Sequence, residues 1–111
     1  MEFSHTLKKN YEFRRLYAKG KSAVSPRVVL YCRKNGTDKN RLGITVSAKL
    51  GNAVCRNKIR RRFREIYRTN EGALLPGYDI VMAARMRSVE SAYHELESDF
   101  LRLAEKLGIK N

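Results

Sequence analysis

The chain has no tryptophan, two prolines, two cysteines and two histidines in 111 residues, and its 11 Asp and Glu are outnumbered by 24 Lys and Arg. Each scarcity removes a class of protein. Cys32 and Cys55 match no metal or redox spacing, and a free core thiol is the ordinary role for such residues. His5 and His94 stand beside no nucleophile at a recognisable spacing, and His5 falls in a stretch expected to fray; neither suggests a general base. The few carboxylates do not gather as a metal pair requires. The stretch "GNAVCRNK" lacks the spacing of a phosphate-binding loop. No apolar run is long enough to span a bilayer. The start "MEFSHTLKKN" has neither the apolar region nor the small-residue cleavage site of a secretory signal, so a cytoplasmic location is the expectation.

What the chain has in excess is positive charge: +13 at pH 7, with a pI near 10.2. Residues 1–41 carry eleven bases and three acids, residues 49–68 eight bases and one acid, and residues 69–111 five bases and seven acids. One part of the chain suits a polyanion and the last part is ordinary globular surface. Such a charge on a small chain most often means nucleic acid. A membrane surface fits less well, because the most basic segment lacks a broad apolar face with Trp or several Leu. A hydrophobic content of 42% is enough for a folded core, and with no repeat or linker visible we expect one domain over 1–111.

Periodicity places the elements. Asn10 can cap a first helix in which Phe13, Leu16 and Tyr17 share a face, with Gly20 as its stop. In "RVVLYCR", residues 27–33, Val28, Leu30 and Cys32 alternate with Val29, Tyr31 and Arg33, which is a strand pattern; a further short strand is possible before Pro26. "KNGTDKN" is turn chemistry, and "RLGITVSA", residues 41–48, is a second strand with Leu42, Ile44 and Val46 on one face. A basic helix then starts at Asn52. "YDIVMAAR", residues 78–85, is the next strand. Ser88 can cap a last helix whose apolar face runs from Val89 to Leu107 and which Gly108 ends. The order predicts a small α/β sandwich with helices covering much of one sheet face.

On a helical wheel Cys55, Ile59, Phe63, Ile66 and Tyr67 fall within roughly 120°, a core-facing stripe of ordinary width. The bases at 56, 58, 60, 61, 62, 64 and 68 spread over the rest, offset only by Glu65. A solvated charged face would normally mix signs. Here like charges recur at i, i+4, as in Arg56, Arg60 and Arg64, and a phosphate backbone would relieve that repulsion. Arg56 sits inside the edge of the apolar arc, either stacked beside Tyr67 with its stem buried or held by a partner. Aromatic residues accompany the charge. The strand bearing Val28, Leu30 and Cys32 already has a complete apolar face. Val29, Tyr31 and Arg33 therefore face something half-polar, and with Phe13 and Tyr17 they could line a trough where unpaired bases stack. Core packing is the competing role for Phe13.

The stretch "AKLGNAVCRNKIRRRFREIYR" resembles the signature of the bacterial ribonuclease P protein subunit, Lys-x-Gly-x-Ala-Val-x-Arg-Asn followed by basic residues and Arg-Glu. Lys49, Gly51, Ala53, Val54, Arg56, Asn57, Arg61, Arg64 and Glu65 fill the pattern. "LKKNYEFRRLYAKGKS", "RVVLY", "LGITVSAKLGNAV" and "YDIVMAAR" are similar to the family's flanking blocks, in the family's order. The resemblance covers residues 7–85 closely and the last helix by pattern. Ala48 stands where a second lysine is common, and Tyr17 where phenylalanine is common.

The resemblance implies an α+β, two-layer sandwich in the order α-β-β-β-α-β-α, of the ribosomal protein S5 domain 2-like kind. It also implies a left-handed βαβ crossover, against the usual right-handed rule. It implies that Phe13, Tyr17, Val29, Tyr31 and Arg33 line a trough for the 5′ leader of precursor tRNA. The basic signature, Lys49, Arg56, Asn57, Lys58, Arg60, Arg61, Arg64 and Arg68, would face ribonuclease P RNA, one protein per RNA. The protein would be the accessory subunit of an endoribonuclease, cleavage being carried out by the RNA with Mg²⁺ held mainly by RNA and substrate. A generic RNA-binding module, a stand-alone metal-dependent nuclease and a helix-turn-helix DNA binder are the rivals. Preference for a precursor tRNA over its mature form would separate the first; the missing carboxylate cluster weighs against the second, and the strands flanking the basic helix against the third.

Overall fold

The structure, a computed structural model, describes residues 5–7 and 10–111. Its elements are β1 (His5–Thr6), α1 (Asn10–Lys19), β2 (Lys21–Val24), β3 (Val28–Lys34), β4 (Arg41–Thr45), α2 (Ala53–Asn70), β5 (Tyr78–Ala84) and α3 (Tyr93–Lys106). The five strands form one sheet in the order β1-β4-β5-β3-β2. β1, β4 and β5 run parallel to one another, while β3 is antiparallel to both β5 and β2.

Two features depart from the expected order and layering. The backbone of His5 and Thr6 pairs with Arg41 and Leu42 rather than fraying, so a strand precedes the first helix. Two residues carry no periodicity, and only the open side of β4 gives them partners. The sheet is also covered on both faces. Ile80, Val81 and Met82 of the central strand β5 are each fully buried. Ile80 and Met82 point with Leu30, Cys32 and Leu42 into the main core beneath α2 and α3, where Phe63, Ile66, Phe100 and Leu103 meet them. Val81 points the other way, into a smaller core with Leu7 and Leu16, against which Phe13 and Tyr31 pack. A strand apolar on both sides needs cover on both sides. α1 supplies it, so the two-layer expectation gives way to helices on both faces.

Gly43 fixes where α1 lands: a Cβ there would lie 2.6 and 2.7 Å from two atoms of the Phe13 ring. The ring rests directly on the β4 backbone. At the helix's other end, a Cβ on Gly20 would meet the carbonyl oxygens of Leu16 and Cys32 at 2.6 and 2.8 Å, so α1 stops hard against β3. α1 therefore crosses the sheet from β4 to β3. Arg41 locks it: the guanidinium donates to both Asp79 oxygens at 2.7 and 2.6 Å and to Glu12 of α1 at 2.7 Å. This pairing holds Arg41 above the ordinary guanidinium range, the Asp79 hydrogen bond being the largest cause.

α3 starts later than expected. Ser88 does not cap it. Ser88 is buried in a short 3₁₀ turn, Met86–Glu90, with its hydroxyl donating to the Arg85 carbonyl at 2.6 Å. The helix begins at Tyr93, and the Glu95 carboxylate accepts from the Ala92 N–H at 2.8 Å. A second lock joins α3 to the β2–β3 turn. Arg27 pairs with Glu95 at 3.0 Å and Asp99 at 3.4 Å, and the Ser25 hydroxyl donates to Asp99 at 2.8 Å. Gly108, at a φ of +76°, turns the chain so that Ile109 is fully buried.

Candidate nucleic-acid interface

The face of the sheet that α1 leaves uncovered is set by register. Val29 lies opposite Ala83 and Val24, Tyr31 opposite Val81 and Ser22, and Thr45 opposite Ala83. Val24 is more than half exposed, and Val29 and Tyr31 are half-buried. The wall of this trough is the flank of α1. Phe13 and Tyr17 have ring centroids 6.4 Å apart, and Tyr17 meets Tyr31 edge-on at 4.8 Å. The three rings form a continuous row, two from the helix and one from the sheet, with Tyr17 44% exposed. Phe13 thus both anchors α1 on Gly43 and shows an edge to the trough. A hollow of about 450 Å³ beside the row is also lined by Asn10, Arg14 and Thr45. The alternation argument did not reach these three, because they come from one helix turn and a strand end brought together only by the crossing of α1. Arg33, expected in the trough, lies beyond it at the far end of β3, around a different hollow with Lys19, Lys21 and Lys34.

β4 leaves the trough at Thr45 and leads into the signature turn. The Ser47 hydroxyl accepts from the Lys49 N–H at 3.2 Å, holding the turn Ala48–Leu50. Asn52 caps α2, its side-chain oxygen accepting from the Cys55 N–H at 2.9 Å. These two caps place Lys49 and Arg56 close along the chain at one end of the sheet. Lys49 shares a hollow of about 370 Å³ with Arg85 and Arg87, which follow β5. The "RMR" run at 85–87 was visible in the sequence, but nothing there joined it to the signature.

α2 anchors as its stripe predicts: Ile59, Phe63, Ile66 and Tyr67 are buried and Cys55 is half-buried. The bases do not behave alike. Lys58, Arg61 and Arg64 are exposed, and neither they nor Arg56 has an ion pair among the described residues. Arg60 donates to Asn57 at 3.0 Å, joining two signature side chains. Arg62 is turned inward, donating to the Ser91 carbonyl at 2.9 Å, and so ties α2 to the segment before α3. Arg68 is paired with Glu65 at 2.6 Å. That contact pulls the Glu65 carboxyl below, and pushes Arg68 above, their ordinary values. The outward face therefore concentrates on residues 56–64.

Arg56 stands apart. Its side chain is half-buried, and its Nε is enclosed without any hydrogen-bond partner. Stacking beside Tyr67 does not occur on geometric grounds. The two share a wheel angle but sit three turns apart, about 16 Å along the axis. A buried donor left unpaired is uncommon and costly. Of the two roles the sequence left open, the one beside Tyr67 is removed.

The acids are spent elsewhere. Glu12 and Asp79 hold Arg41, Glu95 and Asp99 hold Arg27, and Asp99 also takes Arg102 at 3.0 Å. The fold thus neutralises the bases it uses internally and leaves the signature uncompensated. Cys32 is buried and Cys55 half-buried, both free. Burial pushes the Cys32 thiol up, against a smaller pull from Lys21.

Known proteins share this arrangement. A family model described as Ribonuclease P matches residues 1–108. The ribonuclease P protein component of Natranaerobius thermophilus is 43% identical over 101 residues, 91% of this chain and 88% of that protein. That of Alkaliphilus metalliredigens is 42% identical over 107 residues, 96% of each. The solved structure of the Staphylococcus aureus RNase P protein superposes with a TM-score of 0.88 at 34% identity, covering 98% of this chain and 100% of that one. The Thermotoga maritima RNase P protein gives 0.84 at 35% identity, covering 92% and 96%. A chain with this signature, this sheet and relatives at this identity over nearly its whole length belongs to the bacterial ribonuclease P protein family, as the protein subunit of that ribonucleoprotein.

Proposed function

We propose that the trough of Phe13, Tyr17, Val29 and Tyr31 holds the single-stranded 5′ leader of precursor tRNA. Lys49, Arg56, Asn57, Lys58, Arg60, Arg61 and Arg64 take phosphates of ribonuclease P RNA. The observation that carries this is the row of three rings, at 6.4 and 4.8 Å, beside a hollow that reaches Thr45, from which β4 leads into an uncompensated cationic turn. Stacked bases gain roughly 1–3 kcal/mol each and tolerate any sequence, which suits leaders that differ between tRNAs. A mature tRNA has no leader, so the trough adds affinity for the precursor alone. Cations between two RNAs also lower their mutual repulsion, an effect that grows weaker as salt rises.

As an accessory subunit of ribonuclease P, the chain supplies binding and not the cleaving group. Its residues do not fit a protein-held Mg²⁺. Asp79, Asp99 and Glu95 are committed to arginines, and among the described residues no three His, Cys, Asp or Glu sit together. The reading leaves Mg²⁺ with the RNA and substrate, and no step runs through this chain. It also carries a left-handed β4–α2–β5 crossover, a single RNA-binding unit over 1–111, one copy per RNA, and a cytoplasmic location. No helix among the described residues is long and apolar enough to cross a membrane.

Reconstitution tests it. The protein, a bacterial ribonuclease P RNA and a leader-bearing precursor are combined at low Mg²⁺ and physiological salt. Cleavage at the mature 5′ end should need both components, and Tyr31→Ala should narrow the preference for precursor over mature tRNA. RNA binding without any gain in cleavage, or an unchanged preference in the variant, would remove the leader from the trough.

A further inference from the structure

α1 crosses the sheet from β4 and stops at β3, where a Cβ on Gly20 would lie 2.8 Å from the Cys32 carbonyl oxygen. β2 starts at Lys21, directly after that stop, and runs on for four residues as the edge of the sheet. Its last residue, Val24, lies beyond the end of α1 and is 53% exposed. Ala23 packs against the main core, so its neighbours Ser22 and Val24 turn to the opposite face, which is the face of the trough. A single exposed apolar residue is common and needs no partner. Val24 differs because of what it adjoins.

Register puts Val24 opposite Val29, Val29 opposite Ala83, and Ala83 opposite Thr45. These four form a strip that crosses β2, β3, β5 and β4 on one face. Val29, Ala83 and Thr45 are half-buried, and Val24 is open. The rings stand along one side of the strip, Phe13 over Gly43 and Tyr17 against Tyr31, one row further along the strands. The trough floor therefore runs across the strands and not along them. Its ends are unlike. At Thr45 it opens into the hollow shared by Asn10 and Arg14, and β4 continues from there to the signature turn. At Val24 it runs off the edge of the sheet.

We infer that the leader crosses the sheet from Thr45 to Val24 and leaves over the β2 edge, with Val24 as the outermost residue that a leader base covers. The inference rests on the leader lying in the trough, and adds to that reading a route and a contact residue. On that reading the cleaving RNA is held at the signature, so the nucleotide at Thr45 is nearer the scissile bond and the one at Val24 is farther upstream. Val24 is a diagonal neighbour of Tyr31, about 7–8 Å away. At about 3.4 Å per stacked nucleotide, that is about two nucleotides beyond the base on Tyr31.

The test uses the reconstituted holoenzyme with precursor tRNAs whose leaders lengthen one nucleotide at a time, read as affinity against leader length. Wild type should gain affinity where the leader reaches the rings, and again about two nucleotides later. Val24→Ser should lose the second gain alone, about fivefold, which is what covering the exposed half of a valine yields. It should match wild type on shorter leaders and on mature tRNA. Val24→Tyr should enlarge the second gain by roughly five- to a hundredfold, because a ring there adds a base stack. Both free variants should melt as wild type does, since Val24 lies outside both cores. Equal shifts at every leader length, or none at any length, would overturn the route. Tyr31→Ala keeps the two readings apart. If it narrows the preference for precursor while both Val24 variants leave every length unchanged, the trough stands and the route fails. If it changes nothing while Val24→Ser still loses the late gain, the trough reading fails and the contact at Val24 stands.

Discussion

Replacing Arg56 by Met should make the free protein more stable and the RNA complex weaker. The guanidinium Nε of Arg56 is enclosed without a partner. An unsatisfied buried donor costs about 1–3 kcal/mol. Since the side chain is only half-buried, about 1 kcal/mol is the part a thioether of similar reach would recover. For a domain of this size that is a rise in Tm of about 4–8 °C, measured by circular dichroism on the protein alone at fixed ionic strength. Binding to ribonuclease P RNA should move the other way. A charge-assisted contact to phosphate is worth about 1.5–3 kcal/mol, so affinity should fall roughly 10- to 150-fold. The logarithmic salt slope should flatten by about 0.9 for one lost contact to duplex RNA, taking the B-DNA value as a guide. Arg56→Lys isolates the fork from the charge: it keeps most of the salt slope but loses the bidentate geometry. A Met variant that melts lower than wild type, or binds RNA as tightly, would refute the claim that this arginine waits for a phosphate.

Gly43→Ala should cost about 1–3 kcal/mol in urea unfolding, because the new methyl displaces the Phe13 ring from the β4 backbone. It should also weaken leader-bearing substrates more than mature tRNA. Arg62→Ala and Arg61→Ala should separate stability from binding. The first loses the tie to Ser91 and lowers Tm with little change in salt slope, and the second does the reverse; similar effects from both would show that the inward turn of Arg62 is inconsequential. The Glu95 carboxyl is held below its ordinary value by the Ala92 N–H first and by Arg27 second. Its contribution to stability is therefore present above the unfolded value near 4.5 and is lost as pH falls through the lower folded value. Glu95→Gln should flatten the acid limb of a stability-against-pH curve; an unchanged limb would mean the pairing contributes nothing.

Elements with a strong local period are legible in the amino-acid sequence itself. The α2 stripe, the β3 alternation and the stop at Gly20 all depend on neighbours within a turn or a strand. What escaped depends on distance along an axis or across the sheet. A helical wheel discards axial position, so it set Arg56 beside Tyr67. It could not show Arg62 reaching a carbonyl 29 residues away. The continuous apolar run Ile80–Val81–Met82 is what a strand covered on both faces looks like, but the expectation placed helices on one face only, and nothing in the run points to α1 as the second cover. Ser88 looked like a cap because a serine preceding an apolar period usually is one, and the intervening 3₁₀ turn has no sequence mark of its own. The trough rings were legible from alternation. Asn10, Arg14, Thr45, Arg85 and Arg87 were not, because chain crossings brought them to the interface.

The sheet's two rims bear on how the protein keeps company with itself. Among the described residues β1 offers two residues of open backbone and β2 four, the latter beginning with Lys21. Rims this short, one of them charged, make poor templates for strand addition by another copy. Copies brought close together at high concentration can therefore sit side by side without knitting into a common sheet.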